Sequence, residues 1–513
     1  MEQTKQRARR VRLSPILCGI LLFLADLCFF SAKWFVDVYG RIGFDSILYT
    51  LQSELDGVQS GLVGRYLLCA FLPTLLAAAL EVYLLFFLTK RGKFQRKPMP
   101  GWISPVIAVV LSVILIGHAA WNVELDDYIR YQSTDTDLYE NYYVDPASAS
   151  ITFPEEKRNL IYIYLESMEV SYLSQELGGA MEENLIPELY ELAKENTNFS
   201  NSSADVGGFY TSSGATWTIG AMVAQTAGIP LKTPTEDCND YGSSGEDFLP
   251  GVTSLTNILH DAGYYQAFMV GSDADFGGRT AYFIQHGMDT IYDIYTARKD
   301  GIVPSDYFVW WGMEDLHLFE YAKQELTEIA AQDQPFAFTM LTVDTHHVGG
   351  YQCELCEEST SGETYDQSIS CSSRQVAEFV KWIQAQDFYE NTTIIIVGDH
   401  ESMDNGYFER NVDDDYQRLI YNCIINSAVE TTWTKNRQFA GVDLFPTTLA
   451  AIGCQIKGDR LGLGTNLFSN LPTLTEKLGF ESFNTELSRA SEYYEINFYE
   501  DYEAEEPAAE PTV

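Results

Sequence analysis

The stretch Asn159-Leu-Ile-Tyr-Ile-Tyr-Leu-Glu-Ser167 decides the fold of this chain, because it is a β-branched and aromatic run of strand length that ends in a carboxylate. The pattern recurs far along the chain in Thr393-Ile-Ile-Ile-Val-Gly-Asp-His400. Active sites of open α/β sheets lie beyond the carboxyl ends of the strands, so we expect Glu166, Asp399 and His400 to meet around one cation. Carboxylate oxygens and one imidazole suit Mn²⁺, Mg²⁺ or Zn²⁺.

Strand and helix patterns alternate from Arg158 onward. This alternation predicts an α/β fold, with a mostly parallel sheet flanked by helices. The predicted strands are Leu160–Leu165, Tyr264–Val270, Phe336–Val343, Thr393–Val397 and Leu419–Ile425. The predicted helices are Leu185–Asn196, Ser254–Ala262, Leu318–Ala331, Arg374–Ala385 and Phe445–Ile452.

Three apolar segments precede this region: Leu13–Phe35, Tyr66–Leu88 and Ile103–Trp121. Each is about as long as the hydrocarbon core of a bilayer requires. The basic stretch before the first segment would also suit a cleaved signal peptide. The apolar run is long, however, it has no clear small-x-small cleavage site, and two further spans follow it. We therefore predict a retained anchor and a multi-pass membrane protein.

The charges of the connecting segments predict the orientation in the membrane. Positive residues cluster before the first span and between the second and third, at Lys5, Arg7, Arg9, Arg10, Arg12, Lys90, Arg91, Lys93, Arg96 and Lys97. The segment between the first two spans carries only Arg41 and Arg65. Positive charge favours the cytoplasmic side, so three crossings would leave the chain after about Asn122 outside the cell membrane.

These features divide the chain into four predicted regions. They are a membrane domain at residues 1–121, a juxtamembrane linker at 122–157, an extracytoplasmic domain at 158–490 and a tail at 491–513. The linker is polar and rich in Tyr and Asp, and we expect it to wrap the domain that follows. The tail is acidic and has no apolar period, which predicts disorder.

The exported part of the chain is strongly acidic. Residues 122–513 carry 19 Lys and Arg against 66 Asp and Glu, a formal charge of about −47. Such a field disfavours nucleic acid as a partner and repels anionic lipid headgroups. An enzyme that takes an anionic lipid as donor would need a local basic or metal-ion site to offset this repulsion. General solubility is the plainer interpretation of the acidity.

Six cysteines lie outside the predicted spans: Cys238, Cys353, Cys356, Cys371, Cys423 and Cys454. The Cys353-x-x-Cys356 pair resembles half of a zinc site, but no second pair follows at the usual spacing. An oxidising compartment favours a disulfide from this loop to Cys371 instead. The spacing alone does not determine the connectivity.

A hydroxyl-rich loop runs into a helical pattern in Gly207-Gly-Phe-Tyr-Thr-Ser-Ser-Gly-Ala-Thr-Trp-Thr-Ile-Gly-Ala-Met-Val-Ala-Gln-Thr-Ala-Gly-Ile-Pro-Leu231. A hydroxyl at a helix N-terminus meets free backbone N–H groups and the positive end of the helix dipole. Such a place suits both a phosphate and a nucleophilic alkoxide. Ordinary N-capping by Ser or Thr is the alternative. Several hydroxyls of this loop could serve, so the loop alone does not single one out.

Four motifs together carry a family resemblance. They are N-L-I-Y-I-Y-L-E-S from Asn159, W-T-I-x-x-M-V-A-x-x-x-G-I-P-L from Trp217, V-D-T-H-H from Val343 and G-D-H from Gly398. The combination resembles the phosphoglycerol transferase I and lipoteichoic acid synthase family, within the sulfatase/alkaline-phosphatase superfamily. The resemblance spans roughly residues 158–464 and the membrane anchor. It implies a sulfatase-like fold.

The resemblance implies a metal-dependent phosphotransferase with a covalent threonine intermediate. The family's metal-binding glutamate matches Glu166, and its paired aspartate and histidine ligands match Asp399 and His400. Its threonine nucleophile, which also binds the metal, matches Thr218 rather than Thr216. The expected ion is Mn²⁺, with Mg²⁺ or Zn²⁺ as alternatives. As a Lewis acid it would lower the pKa of the threonine hydroxyl.

Other residues are candidates for substrate binding. His346 and His347 follow a predicted strand, and His346 matches a family histidine near the substrate phosphate, where it could bind phosphoryl oxygens or protonate the leaving alkoxide. Arg279 lies beyond another strand in a Gly-containing loop and could bind phosphate. The synthases have a tryptophan two residues before this arginine, whereas this chain has Gly277. Trp311 could line a glycerol pocket or belong to the core.

The resemblance implies phosphatidylglycerol, or a glycerol-phosphate carrier, as donor and a glycan or polyglycerolphosphate as acceptor. A phosphoethanolamine transferase or sulfatase-like hydrolase of the same superfamily is the first alternative. Such enzymes need further metal ligands or a Cys/Ser-x-Pro-x-Arg loop, and the loop is absent from this sequence. A non-catalytic domain that binds cell-wall polymer is the second alternative. Loss of a ligand would favour it, but all four ligand positions are present.

Overall fold

The computed structural model describes residues 2–40, 44, 47–48, 60–89, 102–232, 248–359, 361–413 and 415–499. Contacts among these residues divide the chain near residue 130 into two compact units. The first unit is helical. Its helices are Glu2–Tyr39, Ser60–Tyr66, Leu67–Phe71, Leu72–Thr89 and Ile103–Asn122, of which Leu67–Phe71 is a π-helical turn.

Three helical segments of the first unit are long and apolar enough to cross a membrane: Ile16–Tyr39, Val63–Leu85 and Ile103–Asn122. They lie within a few residues of the three spans that the sequence predicts. Side chains such as Leu68 (67% exposed) and Val113 (65% exposed) point away from the protein, as lipid-facing residues do. The chain therefore has the helices of a membrane protein.

The second unit is built around a seven-stranded sheet. The strands of this unit are β1 Ile151–Thr152, β2 Asn159–Leu165, β3 Gly208–Phe209, β4 Tyr265–Val270, β5 Thr290–Tyr292, β6 Phe336–Leu341, β7 Thr392–Gly398, β8 Ile420–Ile425, β9 Gln455–Ile456, β10 Arg460–Leu461 and β11 Gly464–Thr465. The strand order in the sheet is β3-β8-β7-β2-β6-β4-β5, where β3 and β8 are antiparallel to their neighbours and the other pairs are parallel. Two pairs of short strands, β1 with β9 and β10 with β11, lie outside this sheet.

The central strand β2 explains why the sheet is covered on both faces. Tyr162 and Tyr164 point into one apolar core, and Ile161 and Ile163 point into another on the opposite face. Both cores need helices to exclude water, so the strand is apolar throughout instead of alternating with polar residues. The predicted α/β fold with a mostly parallel sheet is confirmed.

The helices of the second unit lie mainly between the strands. They are Leu138–Tyr142, Pro187–Glu195, Thr218–Ala227, Leu255–Asp261, Arg279–Gln285, Ile294–Asp300, Asp315–Ala330, Thr364–Gln384, Asn405–Asn411, Leu444–Ala451, Leu474–Leu478, Phe480–Ser488 and Glu492–Tyr494. The boundary between the two units, at Ile129 and Arg130, falls inside a further helix, Leu125–Gln132. Shorter 3₁₀ turns are Val170–Tyr172, Gln175–Leu177, Phe276–Gly278, Asp387–Asn391 and Gly441–Asp443, and Glu495–Tyr499 is a π-helical turn. Among the predicted helices, the largest difference is at Thr364–Gln384, which begins ten residues before the predicted start at Arg374. The prediction missed these first turns because they are mostly polar.

The prediction that residues 491–513 are disordered is wrong for Ser491–Tyr499. Tyr494 and Phe498 are each 1% exposed and pack against Tyr139, from the segment predicted as the linker. The aromatic rings provide the buried apolar area that offsets the entropy of ordering this acidic segment. Residues 500–513 lie outside the described part of the chain.

Candidate active site and metal centre

The register of the two central strands places Glu166 and Asp399 side by side. Leu165, the last residue of β2, pairs with Gly398, the last residue of β7. Because the two strands are parallel, the residue after each strand emerges at the same edge of the sheet. Glu166 and Asp399 are each 2% exposed, so both carboxylates lie in a protein interior and not on a solvated surface.

Backbone amides hold one oxygen of Asp399 and leave the other facing the site. The backbone N–H groups of Ser167 and His400 both donate to Asp399 Oδ1, each at 2.8 Å. Asp399 Oδ2 is buried and accepts no hydrogen bond from the described residues. The Ser167 hydroxyl also donates to Glu166 Oε1, at 2.7 Å. Ser167 has φ 55°, a strained value for a non-glycine residue that lets it contact both carboxylates.

His400 presents its ring to the same place. Its Nδ1 lies 2.8 Å from the carbonyl oxygen of Glu401, which can only accept, so Nδ1 carries the proton. Nε2 then points at the two carboxylates, 3.4 Å from Asp399 Oδ2 and 3.7 Å from Glu166 Oε1. Histidines that bind a metal through Nε2 usually donate their Nδ1–H to a carbonyl or carboxylate oxygen, which fixes the orientation of the ring.

The three side chains fit a divalent cation. One ligand atom from each of Glu166, Asp399 and His400 lies within 4.8 Å of the others. Burial, followed by the nearby charge of Glu166, raises the pKa of Asp399 to about 7. Burial alone would lower the pKa of His400, but the charges of Asp399 and Glu166 outweigh it and raise this pKa. A cation would offset the concentrated negative charge and give the buried Asp399 Oδ2 a partner.

Thr218 lies at this cluster. Its Oγ1 is 3.4 Å from His400 Nε2, and it is the first residue of the helix Thr218–Ala227. The N-cap of that helix is Trp217, and no side chain makes a capping hydrogen bond there. The hydroxyl of Thr218 is therefore not used for capping, which was the alternative that the sequence left open. Thr216 is half-buried, two residues before it.

Gln225 ties the helix of Thr218 to the strand that carries Asp399. Its amide nitrogen donates to the carbonyl oxygens of Gly398 and Asp399, at 3.3 and 3.5 Å, and the Tyr162 hydroxyl donates to its side-chain oxygen at 2.9 Å. Sequence reasoning missed this residue. The available signal was an amide side chain, 1% exposed in the structure, in a mostly apolar helix.

His346 and His347 follow β6, and both interact electrostatically with His400. Their rings stack with centroids 4.3 Å apart, and Trp311 packs on His346 at 4.6 Å. His346 Nδ1 is 2.7 Å from the carbonyl oxygen of His347, so this nitrogen donates and Nε2 is an acceptor. Burial lowers the pKa of both rings, and the charge of His400 lowers each further. Trp311 is half-buried beside the histidines and is not a core residue.

Arg279 faces the same region. The 3₁₀ turn before it brings Gly277 close to Ile219, the neighbour of Thr218. Its guanidinium donates to the Ser272 hydroxyl at 3.2 Å and to the carbonyl oxygen of Asp273 at 2.6 Å, and its charge lowers the pKa of His346. Arg279 is 5% exposed and therefore not a surface arginine.

A family model described as Sulfatase matches residues 158–454, which are more than half of the chain and include all seven strands of the central sheet. The chain belongs to the sulfatase family. The matched region includes all eight residues that the sequence proposes for the site, from Glu166 to His400.

Curated relatives of this sulfatase-family chain are named phosphoglycerol transferase I. The protein from Xanthomonas axonopodis pv. citri is 30% identical over 414 residues, which cover 77% of this chain and 54% of the relative. The one from Escherichia fergusonii is 29% identical over 368 residues, 70% of this chain and 45% of the relative. The resemblance drawn from the motifs is thereby confirmed, although the chain spans only about half the length of these relatives.

Two solved structures illustrate more distant likeness. A protein of the alkaline phosphatase superfamily from Vibrio parahaemolyticus is 20% identical, with a TM-score of 0.48, over 68% of this chain and 79% of that protein. The lipoteichoic acid synthase LtaP from Listeria monocytogenes is 18% identical, with a TM-score of 0.48, over 65% of this chain and 81% of that protein. At these identities neither likeness bears on activity.

Proposed function

We propose that the chain is a membrane-anchored phosphoglycerol transferase. It would move glycerol phosphate from phosphatidylglycerol, or from a glycerol-phosphate carrier, to a glycan or polyglycerolphosphate hydroxyl. The observation that carries the proposal is the Thr218 hydroxyl, which makes no helix cap and lies 3.4 Å from the Nε2 atom of His400. In the same cluster a buried Asp399 oxygen has no hydrogen-bond partner among the described residues. The name of the curated relatives supports the substrate class.

Glu166, Asp399 and His400 would hold the cation, with Thr218 as a fourth ligand. A bound divalent cation, with Mn²⁺ as the expected ion and Mg²⁺ or Zn²⁺ as alternatives, would supply Lewis acidity and lower the pKa of the threonine hydroxyl. Thr218 lies at the N-terminus of a ten-residue helix, whose free N–H groups and dipole favour the negative charge of a nearby phosphate.

In the first half-reaction Thr218 Oγ1 would attack the phosphorus of the donor. Oγ1 would lose its proton and form a bond to phosphorus, the bond from phosphorus to the diacylglycerol oxygen would break, and that oxygen would take up a proton as diacylglycerol leaves. In the second half-reaction an acceptor hydroxyl would lose its proton and form a bond to the same phosphorus, the bond from phosphorus to Oγ1 would break, and Oγ1 would take up a proton. Both half-reactions would use Thr218, so one site would serve donor and acceptor in turn.

Arg279 and the two histidines would act on the phosphate and its protons. The buried guanidinium of Arg279 suits the phosphoryl oxygens, since it is planar and permanently charged. His346 presents Nε2 as an acceptor because Nδ1 donates to the His347 carbonyl, so Nε2 fits the removal of a proton from the acceptor hydroxyl. His347 would orient His346 by this contact, and Trp311 would line the glycerol side of the site.

The three apolar helices would anchor the enzyme beside its lipid donor. A membrane anchor raises the effective concentration of a lipid substrate at the active site. The loop charges support a cytoplasmic N-terminus and an extracytoplasmic catalytic domain, so we propose a multi-pass protein of the cell membrane. A reporter fused after Val513 should be active if it works outside the membrane and inactive if it needs the cytoplasm; the reverse result would contradict this topology.

A transfer assay tests the proposed function. The full chain in detergent would be incubated with phosphatidylglycerol or with phosphatidylethanolamine, each labelled in the headgroup, and with EDTA or Mn²⁺. We expect diacylglycerol release from phosphatidylglycerol alone, abolished by EDTA and restored by Mn²⁺. Release from phosphatidylethanolamine instead would support the phosphoethanolamine transferase alternative. No release from either lipid, with the metal bound, would support a non-catalytic binding domain and overturn the proposal.

A further inference from the structure

Three cysteine sulfurs meet outside the active site. Cys353 Sγ is 3.8 Å from Cys356 Sγ and 3.7 Å from Cys371 Sγ, and all three lie within 4.8 Å of one another. Cys353 and Cys371 are 7% and 2% exposed, whereas Cys356 is half-buried. The sequence correctly places Cys371 beside this loop, but the three cysteines are free thiols in the structure.

The spacing of the sulfurs fits a tetrahedral metal ion. Metal–sulfur bonds of about 2.3 Å at tetrahedral angles put neighbouring sulfurs about 3.8 Å apart. The sulfurs of Cys353 and its two neighbours are separated by 3.7 and 3.8 Å. A disulfide joins two sulfurs and would leave the third cysteine of this cluster without a function, whereas a metal ion can bind all three.

The three thiols already lie within hydrogen-bonding distance of a shared sulfur. Cys356 Sγ and Cys371 Sγ are 3.8 and 3.7 Å from Cys353 Sγ. The thiolate is the form of cysteine that binds metals, so an ion that binds here would displace protons from these thiols.

Two buried acids lie near the sulfur cluster. Asp315 and Asp344 are 0% and 2% exposed, and each interacts electrostatically with Cys353. A divalent cation at the sulfurs would attract these carboxylates in their ionised form.

The cluster joins the loop after the two histidines to a long helix. Cys353 and Cys356 lie on the loop that follows His347, and Cys371 lies on the helix Thr364–Gln384. Gln352 reinforces this junction, because its amide nitrogen donates to backbone and hydroxyl oxygens on both sides. A metal ion at the sulfurs would therefore fix the end of the loop that carries His346 and His347.

We propose that Cys353, Cys356 and Cys371 form a second metal site, which binds a thiophilic divalent ion, Zn²⁺, through three sulfurs. This site is independent of the proposed transfer chemistry, because its ligands are separate from Glu166, Thr218, Asp399 and His400. The half-buried side of Cys356 leaves a fourth position to a ligand from solvent. Its role would be structural: an ion held by three sulfurs from the loop and the helix stabilises their junction.

The test uses Co²⁺ as the probe in the full chain, purified anaerobically in detergent and freed of metal. Thiolate ligation gives Co²⁺ an intense ultraviolet charge-transfer band, which carboxylate and imidazole ligands do not produce. We expect one equivalent of Co²⁺ with this band in the wild type. The band should persist in Asp399→Asn, which alters the oxygen and nitrogen cluster, and should disappear in Cys371→Ser.

Matched controls separate ligation from general damage. Cys423→Ser changes another buried cysteine, whose sulfur is 3.5 Å from the carbonyl oxygen of Leu192, and should retain the band. If Cys371→Ser fails to fold, Cys356→Ser changes the half-buried ligand instead and should also lose the band. A disulfide between any two of the three cysteines, found by mass spectrometry in the anaerobic protein, would overturn the proposal. So would Co²⁺ binding without the band, or a band that survives both ligand variants.

Discussion

The oxygen and nitrogen cluster at the strand ends and the sulfur cluster after β6 are assembled in different ways. Glu166 and Asp399 come from strands far apart in the chain, and only the pairing of β2 with β7 brings them together. Cys353, Cys356 and Cys371 come from one loop and the next helix. The first cluster is therefore as rigid as the sheet core, whereas the second depends on a local junction.

The two clusters also differ in what faces them. The strand-end cluster lies beside the Thr218 hydroxyl, the stacked histidines and Arg279. A substrate phosphate there would meet the proposed nucleophile, the proposed base and a positive charge together. The sulfur cluster faces buried acids and the amide of Gln375, whose nitrogen is 3.4 Å from Cys371 Sγ. This comparison predicts that turnover follows the first cluster and that stability follows the second.

The largest expected effect is that of Thr218→Ala. As a nucleophile, Thr218 cannot be replaced, so kcat should fall by about 10⁴-fold or more. Because the Thr218 hydroxyl makes no capping hydrogen bond, the loss of stability should stay below the roughly 1 kcal/mol that removal of a helix cap costs. Diacylglycerol release from phosphatidylglycerol measures the first effect, and a thermal melt measures the second.

Thr216→Ala is the matched control for this variant, and it should remain substantially active. If Thr216→Ala is inactive and Thr218→Ala turns over near the wild-type rate, the assignment of the nucleophile is wrong by two residues. If both variants retain activity, the covalent route itself is wrong.

The next largest effect should come from Asp399→Asn. The change removes the negative charge of a carboxylate whose Oδ2 atom has no hydrogen-bond partner among the described residues. Mn²⁺ binding should therefore weaken, and kcat should fall by about 10³-fold, equivalent to several kcal/mol. Calorimetric Mn²⁺ titration and the lipid assay measure the two effects. Cys371→Ser provides the contrast, since it should lower the thermal midpoint far more than it changes turnover. An unaltered Mn²⁺ affinity in Asp399→Asn would contradict the proposed metal site at the strand ends.

A smaller loss is expected for His346→Gln. A positioned general acid or base typically contributes about 10²-fold or more, so kcat should fall by about 10²-fold with Mn²⁺ affinity unchanged. The pH profile of kcat is the decisive measurement, because loss of a proton-transfer group should flatten one limb of it. A lower kcat with an unchanged profile would assign His346 to phosphate binding alone.

The smallest effect on turnover should be that of Gln225→Leu. Gln225 touches no reacting atom, but its amide holds the carbonyl oxygens beside Asp399, so Mn²⁺ affinity should fall by about tenfold. Tyr162→Phe, which removes only the hydroxyl that donates to Gln225, should have a weaker effect of the same kind. If the two variants lower the stability equally and leave the Mn²⁺ affinity unchanged, Gln225 has a purely structural role.

The central strands could be predicted because each is apolar on both faces. The predicted Leu160–Leu165 and Thr393–Val397 differ from β2 and β7 by one or two residues. β6 ends at Leu341, and not at Val343, because Val343 and Asp344 donate their backbone N–H groups to Asp315 instead of to a neighbouring strand. The meeting of Glu166, Asp399 and His400 followed from the rule that sites lie at carboxyl strand ends, and the structure brings them together.

Other features depend on contacts that sequence patterns do not carry. Local periodicity could not show that Gln225 reaches Asp399, because its partners lie on a strand distant in the chain. The edge strands β3 and β5 are only two and three residues long, too short for a periodic signal. Ser491–Tyr499 is ordered because the rings of Tyr494 and Phe498 pack against Tyr139, which is again a long-range contact.

Mass spectrometry of the peptide that contains Thr218 tests the central claim most directly. The full chain with Mn²⁺ would be mixed with phosphatidylglycerol in the absence of an acceptor, quenched in acid and digested. The account predicts a glycerophosphoryl group on the Thr218 oxygen of wild-type protein, absent from Thr218→Ala and from samples treated with EDTA. Diacylglycerol release without any adduct, or an adduct on Thr216 in place of Thr218, would contradict it.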